Sequence, residues 1–245
     1  MIIYGINPVL EALRAGRAVS VRAATRHGPR VSEILRLAHD RRVEVRHVDQ
    51  SELDRLTRGS PHQGVIAELQ PTRDLSVGEL IHASPDPLIV VLDGIEDPHN
   101  VGAILRSADA AGATGVVRQS RRAAPLTGAA AKASAGALSH VRIATAVNVA
   151  RAIEELKAGG VWTVGLDQQA SQSWYEIDLR LPTAIVLGAE GTGLRRLVRE
   201  RCDLLASIPM QGQIESLNVS VAAGIVLFEA VRQRLGSKAR ALRGP

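Results

Sequence analysis

Five apolar residues follow one another without a break, Leu88-Ile89-Val90-Val91-Leu92, between Pro87 and Asp93. A run this short and uniform suits a strand buried on both faces. Such a strand belongs in a parallel sheet covered by helices, and the sequence beyond it keeps to that plan. Residues 101–111 read as a helix stopped by Gly112, and residues 115–118 as a strand. The small-residue segment 126–138 reads as a helix despite its glycines. Residues 141–144 read as a strand, and 149–158 as a helix closed by Gly159-Gly160. Further strands are expected at 161–166, 184–187 and 204–208, and a long helix at 219–235. The alternation gives the α/β class, with a mostly parallel sheet and helices on both faces.

The residues before this run form a different, smaller mixed α/β pattern. Ile6, Val9, Leu10 and Leu13 recur at helical spacing, and Gly16 is placed to end that helix. A strand at 19–24 precedes a helix at 31–41 whose face carries Ile34, Leu35, Leu37 and Ala38. Val43, Val45 and Val48 include a short strand-like alternation. A short helix at 51–56 and a strand at 64–69 complete the unit. Pro71, Pro85 and Pro87 bracket a stretch of weak periodicity, read as a linker with one short helix. The expected division is therefore residues 1–70, a linker at 71–86, and residues 87–245.

The chain's 30 basic residues include three lysines, Lys132, Lys157 and Lys238, so nearly all are arginines. Arginine's planar fork suits phosphate and base recognition, though a GC-rich genome also favours it. Eleven arginines against eight acids leave residues 1–70 at +3. The stretch from Arg232 to Pro245 holds five basic residues and no acid, as a tail touching nucleic acid or a solvated end would. Aromatics are scarce (Tyr4, Trp162, Trp174, Tyr175 and Phe228), and no cluster offers the stacking platform of single-stranded RNA modules. RNA binding would then rest on backbone contacts, shape and arginine.

Several chemistries are excluded. The one cysteine, Cys202, permits neither an internal disulfide nor a cysteine-based zinc site, and the seven histidines include no His-x-x-x-His pair. No metal is expected. Neither a Gly-x-Ser-x-Gly elbow nor a phosphate loop with Lys-Ser or Lys-Thr is present. No stretch approaches the ~18–20 apolar residues of a membrane span, and no basic segment leads into an apolar run at Met1. The expectation is a soluble cytoplasmic protein with no membrane partner.

Ligands in open parallel sheets bind beyond the carboxyl ends of the strands, and three such ends stand out. They are residues 93–100, residues 188–193, and residues 209–213 running on to 216–218. The second reads Gly188-x-x-Gly191-x-Gly193, which lacks the spacing and early position of a dinucleotide fingerprint. It is either a tight turn or backbone brought close to a small molecule. In the first, Asn100 is placed to cap a helix starting at Val101. Arg106 lies six residues on, among Val101, Ile104, Leu105 and Ala108, where a charge needs a partner or a task. In the third, Ser216 or Asn218 is placed to cap the last helix.

Together these segments resemble the three motifs of the SpoU branch of the SPOUT methyltransferases. Asn100-x-Gly102-x-x-x-Arg106-x-x-x-x-Ala111-Gly112 is similar to the first, and Leu187-Gly188-Ala189-Glu190-Gly191-Thr192-Gly193 to the second. Ile208-Pro209-Met210-Gln211-Gly212 with Ser216-Leu217-Asn218-Val219-Ser220-Val221-Ala222 is similar to the third. Ala111 departs from the family's frequent Phe. Tyr4-Gly5-Ile6-Asn7-Pro8-Val9, His62-Gln63-Gly64-Val65-Ile66-Ala67 and Leu92-Asp93-Gly94-Ile95-Glu96-Asp97-Pro98-His99-Asn100 resemble bacterial members that methylate a guanosine ribose in 23S ribosomal RNA.

The resemblance implies an N-terminal domain like ribosomal protein L30e that holds RNA, a C-terminal domain with a deep trefoil knot, and a homodimer. It implies transfer of a methyl group from S-adenosylmethionine to a ribose 2′-oxygen. Arg106, Asn100, Glu190, Ser216 and Asn218 are then the implied catalytic-site residues, and Gly188, Ile208, Met210 and Leu217 the cofactor-binding ones. An ordinary guanidinium is too weak a base at pH 7, which favours Arg106 as the group that positions the oxygen and stabilises its developing charge. Two readings of other substrate or class stay open: a transfer-RNA ribose methyltransferase, and a non-enzymatic RNA-binding or ribosome-assembly protein. A nucleotide-cofactor oxidoreductase is disfavoured by the glycine spacing.

Overall fold

The computed structural model describes residues 1–71, 73–121 and 123–242, with side chains described as far as Gly236. These residues pack as two compact units. The first holds Met1–Arg73, Pro98–Arg106 and Ala124–His140; the second holds Asp74–Asp97, the chain from Ser107 to Ala123, and the chain from Val141 onward.

The first unit is built on a four-stranded mixed sheet. Its strands are β1 (Ile2–Tyr4), β2 (Ala18–Ala24), β3 (Glu44–Val48) and β4 (Val65–Leu69), in the order β1-β4-β2-β3. β4 runs antiparallel to β1 and β2, and β3 runs parallel to β2. The three-residue β1 is too short to show a period and escapes a sequence reading. Helices α1 (Ile6–Arg14) and α2 (Pro29–Asp40) bury Val9, Ala12, Leu13, Val31, Ile34 and Ala38. Helix α3 (Gln50–Thr57) brings Leu53 and Leu56 onto a separate cluster with Tyr4, Ala24 and Ile66. The alternation of strand side chains explains the two covered faces.

His62-Gln63-Gly64 secures this unit internally. The Gly64 N–H donates to His62 Nδ1 at 3.0 Å, which leaves the ring proton on Nε2, 3.1 Å from Asp54 Oδ1. Gln63 Oε1 accepts from the Ile6 N–H at 2.9 Å, joining the start of α1 to the turn before β4.

The expected helix at 126–138 is much shorter. Helix α6 spans Ala129–Ala133, and a single 3₁₀ turn, Ala137–Ser139, follows. Ala135 (φ 51°) and Gly136 (φ 105°) end the helix in the left-handed region. A Cβ at Gly136 would lie 2.5 Å from Glu11 Cβ, so glycine is required where this segment crosses α1. Helix α5 (Pro98–Ala110) starts three residues earlier than expected, with Pro98 at its first position. Asn100 therefore sits inside the first turn and is not the cap. Gly102 lets α5 approach α6: a Cβ there would lie 2.5 Å from both the Ala130 carbonyl oxygen and Ala133 Cβ.

The second unit holds a six-stranded, wholly parallel sheet in the order β10-β8-β9-β5-β6-β7. The strands are β5 (Leu88–Asp93), β6 (Gly115–Gln119), β7 (Ile143–Ala146), β8 (Trp162–Leu166), β9 (Thr183–Gly188) and β10 (Leu204–Ala206). Every residue of β5 is buried, as its uninterrupted apolar run requires. One face packs Ile89, Val91, Ala184 and Val186 against α4 (Val77–Ile81), α7 (Val149–Ala158) and α8 (Arg196–Arg201). The helix expected between the prolines is α4, which Ser76 and Glu79 close with a reciprocal capping box. Helix α9 (Val219–Leu242) packs on β9 and extends past the expected end at Leu235. β10 stops short of the expected residue 208, because Ser207 pairs beside Ser173.

Part of the basic stretch from Arg232 is structural. Arg234 donates to the carbonyls of Leu179, Asp86, Pro87 and Leu181 at 2.8–3.3 Å, and its burial lowers the guanidinium pKa. Arg232 pairs with the buried Glu229 at 2.6 Å. Lys238, Arg240 and Arg243 lie outside the residues whose side chains are described.

Asp203 ties β10 to β8. Its carboxylate accepts from the Thr163 N–H (2.9 Å) and Thr163 hydroxyl (2.7 Å) and meets Lys157 Nζ at 2.8 Å. Burial acts to raise this carboxyl, but the hydrogen bonds from Lys157 and Thr163 outweigh it and hold it below its ordinary value of 3.8. Its stabilisation is thus complete above that value and disappears as pH falls through the lower folded value. We expect Asp203→Asn to cost about 1–3 kcal/mol at pH 7 and to flatten the acid limb of stability against pH, measured by urea unfolding.

Candidate active site

The parallel register of β5 and β9 sets Asp93 beside Gly188 at the carboxyl ends of the two central strands. Asp93 is fully buried, and Arg195 answers its charge. The Arg195 N–H donates to Asp93 Oδ2 at 2.9 Å, its Nε donates to Oδ1 at 2.6 Å, and a second guanidinium nitrogen closes the ion pair. A buried carboxylate needs such a partner. Between Gly188 and Arg195 the chain forms a closed loop in which Ala189 and Gly193 exchange backbone hydrogen bonds of 3.1 and 2.8 Å.

Gly188 is demanded by contact. A Cβ there would lie 2.2 Å from the Gly193 carbonyl carbon and 2.3 Å from the Leu194 nitrogen. Gly191 (φ 79°) and Gly193 (φ 67°) supply the left-handed turns that fold the loop back. Gly94 lies on the same side, where a Cβ would be 3.8 Å from Ala189 Cβ.

Next to this loop lies a cavity of about 550 Å³, within the range of small-molecule sites. The segments after β8, β9 and β10 and the approach to α9 enclose it. Gly188, Ile208, Met210 and Leu217 line it, as do Glu190 and Ser216. Leu187, Leu194, Ala206, Val219 and Ala222 add apolar wall. Asp167, Glu190 and Glu215 supply carboxylates, and Arg199 Nε lies 2.6 Å from Asp167 Oδ2.

Three further expected site residues are Asn218, Asn100 and Arg106. Asn218 caps α9: its Oδ1 accepts from the Ser220 N–H (2.9 Å) and hydroxyl (2.6 Å), as one of the two capping expectations required. Asn100 and Arg106 are on α5, in the first compact unit, and neither lines the cavity. Asn100 is 6% exposed. Arg106 is exposed and makes no ion pair among the described residues.

Sequence reasoning did not single out Asp167, Arg195 or Arg199. Asp167-Gln168-Gln169 follows a predicted strand, so the rule that located the other three segments applies to it as well. The pairings of Arg195 and Arg199 carry no sequence signal, because their partners stand 102 and 32 residues away in the chain. Among the described residues no group of His, Cys, Asp and Glu could hold a metal ion, and no helix is long and apolar enough to cross a membrane. Burial and the Asp203 charge push the Cys202 thiol up to about 12, which keeps it in the less reactive protonated form.

Known proteins resemble this chain over most of its length. Residues 87–228 match the SpoU rRNA methylase family, and residues 2–75 match the RNA 2′-O ribose methyltransferase substrate-binding family. The 23S rRNA (guanosine-2′-O-)-methyltransferase RlmB of Pseudomonas putida is 44% identical over 95% of this chain and 96% of its own. The putative TrmH family tRNA/rRNA methyltransferase YacO of Bacillus subtilis is 39% identical over 95% of each. The crystal structure of the SpoU methyltransferase AviRb from Streptomyces viridochromogenes, in complex with the cofactor AdoMet, superposes with a TM-score of 0.82. That pair shares 28% identity, over 96% of this chain and 91% of the other.

Because the obstacle at Gly188 is backbone, Gly188→Ala must displace the loop. We expect at least a tenfold loss of S-adenosylmethionine affinity by calorimetry, with the far-ultraviolet circular dichroism of the α/β fold retained.

Proposed function

This chain belongs to the SpoU rRNA methylase family, and from that premise we propose that it methylates the ribose 2′-hydroxyl of a guanosine in 23S ribosomal RNA, using S-adenosylmethionine. The observation that carries the reading is the cavity at the carboxyl ends of β8, β9 and β10, whose lining includes Gly188, Ile208, Met210 and Leu217. Its residues suit S-adenosylmethionine. The apolar wall accepts a flat adenine, the neighbouring backbone offers donors and acceptors for its edge, and carboxylates of the lining favour a cation. When bound, this group supplies a methyl carbon already activated by sulfonium.

The chain's own residues then have two tasks: to hold the acceptor oxygen in line with that carbon, and to manage its proton. Arg106 is assigned the first. Its guanidinium, an ineffective base at neutral pH, aligns the 2′-oxygen and stabilises negative charge as it develops. Asn100, Glu190, Ser216 and Asn218 are assigned to the surrounding site, with Asn218 holding the start of α9 in place. Residues 1–70 are assigned to holding RNA, and residues 87–245 to methyl transfer, with the family's deep trefoil knot. The reaction takes place in the cytoplasm, where ribosomal RNA is found.

We further propose a homodimer. Val221, Phe228 and Leu235 recur every seven residues along α9 and are 50%, 50% and 61% exposed. A helix stripe of this kind seeks a partner surface.

Arg106→Ala should lower methyl transfer by about 10²–10³-fold, measured with tritiated S-adenosylmethionine, while cofactor binding stays intact. Full activity in that variant would remove Arg106 from the reaction. Mass mapping of RNA from cells with and without the gene should show one 2′-O-methylguanosine lost from 23S RNA; a loss confined to transfer RNA would overturn the substrate assignment. Phe228→Glu should convert the dimer to monomer in sedimentation velocity.

A further inference from the structure

Residues 12–32 of the first unit contain five arginines, one histidine and no acid. Two of these arginines serve the fold: Arg14 pairs with Glu11 at 2.7 Å, and Arg17 donates to the Leu138 carbonyl at 2.9 Å. Arg26 and Arg30 are different. Both are exposed, one just beyond the carboxyl end of β2 and the other in the first turn of α2. Among the described residues neither makes an ion pair, and Arg30 spends one donor on Asn7 Oδ1 at 3.3 Å.

β2 and β3 are parallel, so their carboxyl ends open on the same edge of the sheet. The Thr25 N–H and hydroxyl both donate to the Val48 carbonyl, at 3.1 and 3.2 Å, and draw the loop after β2 against the end of β3. This brings the imidazoles of His27 and His47 together. Their centroids are 6.1 Å apart and their planes 20° from parallel. Ser32 Oγ lies 3.3 Å from His27 Nδ1 and orients that ring. Both rings are exposed.

Two flat rings and two guanidiniums without ion pairs among the described residues lie on one exposed edge and contribute nothing to the core. They match the needs of an unpaired nucleotide, whose base stacks on a flat side chain while arginines take the flanking phosphates. A duplex hides its base faces and cannot use the rings. We propose that Arg26, His27, Arg30 and His47 form an edge that grips a single-stranded segment of the RNA substrate. The inference rests on the reading that the chain acts on RNA.

The test uses the full chain, an unstructured oligoribonucleotide, a duplex of equal length, and 23S RNA from cells lacking the gene. In fluorescence anisotropy, the wild type should prefer the single strand over the duplex. Arg26→Ala with Arg30→Ala should weaken single-strand binding at least tenfold and reduce the salt slope by about 0.7 for each phosphate that is no longer neutralised. His27→Ala should weaken it severalfold, and His27→Phe should restore it, which a purely structural role for the ring would not produce. On 23S RNA the arginine pair should raise KM with kcat nearly unchanged, and S-adenosylmethionine affinity should stay at the wild-type value. Wild-type affinity and KM in the arginine pair, or equal binding of both probes by the wild type, overturns this assignment while leaving methyl transfer standing. A wild type that neither binds nor methylates RNA overturns the function itself and this inference with it.

Discussion

The cavity depends on a buried charge. Asp93 ends the most deeply buried strand of the parallel sheet, where an unpaired carboxylate would cost several kcal/mol of desolvation. Arg195 meets it with both backbone and guanidinium, and keeps about half of its own side chain in solvent. The pair therefore avoids desolvating both ions fully. Its consequence is geometric: the segment from Gly188 to Arg195 is held at one end by the β5–β9 register and at the other by Asp93. The cavity wall is a closed loop because both of its ends are anchored.

Close packing explains three of the glycines better than flexibility does. Gly188 admits the Gly193–Leu194 backbone, Gly102 admits α6 against α5, and Gly136 admits α1. In each case a Cβ would meet another atom at 2.5 Å or less, closer than side chains pack. The first of these shapes the cavity and the other two shape the first unit. A residue pattern shared with a family of catalysts can thus reflect packing as much as chemistry.

The arginines divide by surroundings. Arg17, Arg195 and Arg234 serve as clamps, donating to carbonyls or to a buried carboxylate. Arg26, Arg30 and Arg106 remain exposed and without ion pairs among the described residues. Composition counts the two groups alike. The planar fork that makes arginine good at gathering several backbone oxygens also suits it to phosphate and to developing oxyanions.

Periodicity and strand-end loops made much of this protein legible. The apolar run at 88–92 announces a doubly covered strand, residues 149–158 carry a helix with clear ends, and the polar segments after two later strands mark the cavity. Those signals are local, and local steric and solvation preferences are enough to produce them. Other features depend on residues far apart in the chain. The helix expected at 126–138 breaks because α1 passes Gly136, and Arg234 of the basic stretch turns inward because four carbonyls converge on it. The imidazole pair of His27 and His47 escapes a search for aromatic clusters, since twenty residues separate two rings that only the parallel pairing of β2 and β3 brings together. Element types and the loops where chemistry belongs are written in local pattern, because they follow from neighbours within a few residues. Which charges are paired, which glycines tolerate no side chain and which side chains share an edge emerge only in the fold, because burial and distance exist only once the chain has folded.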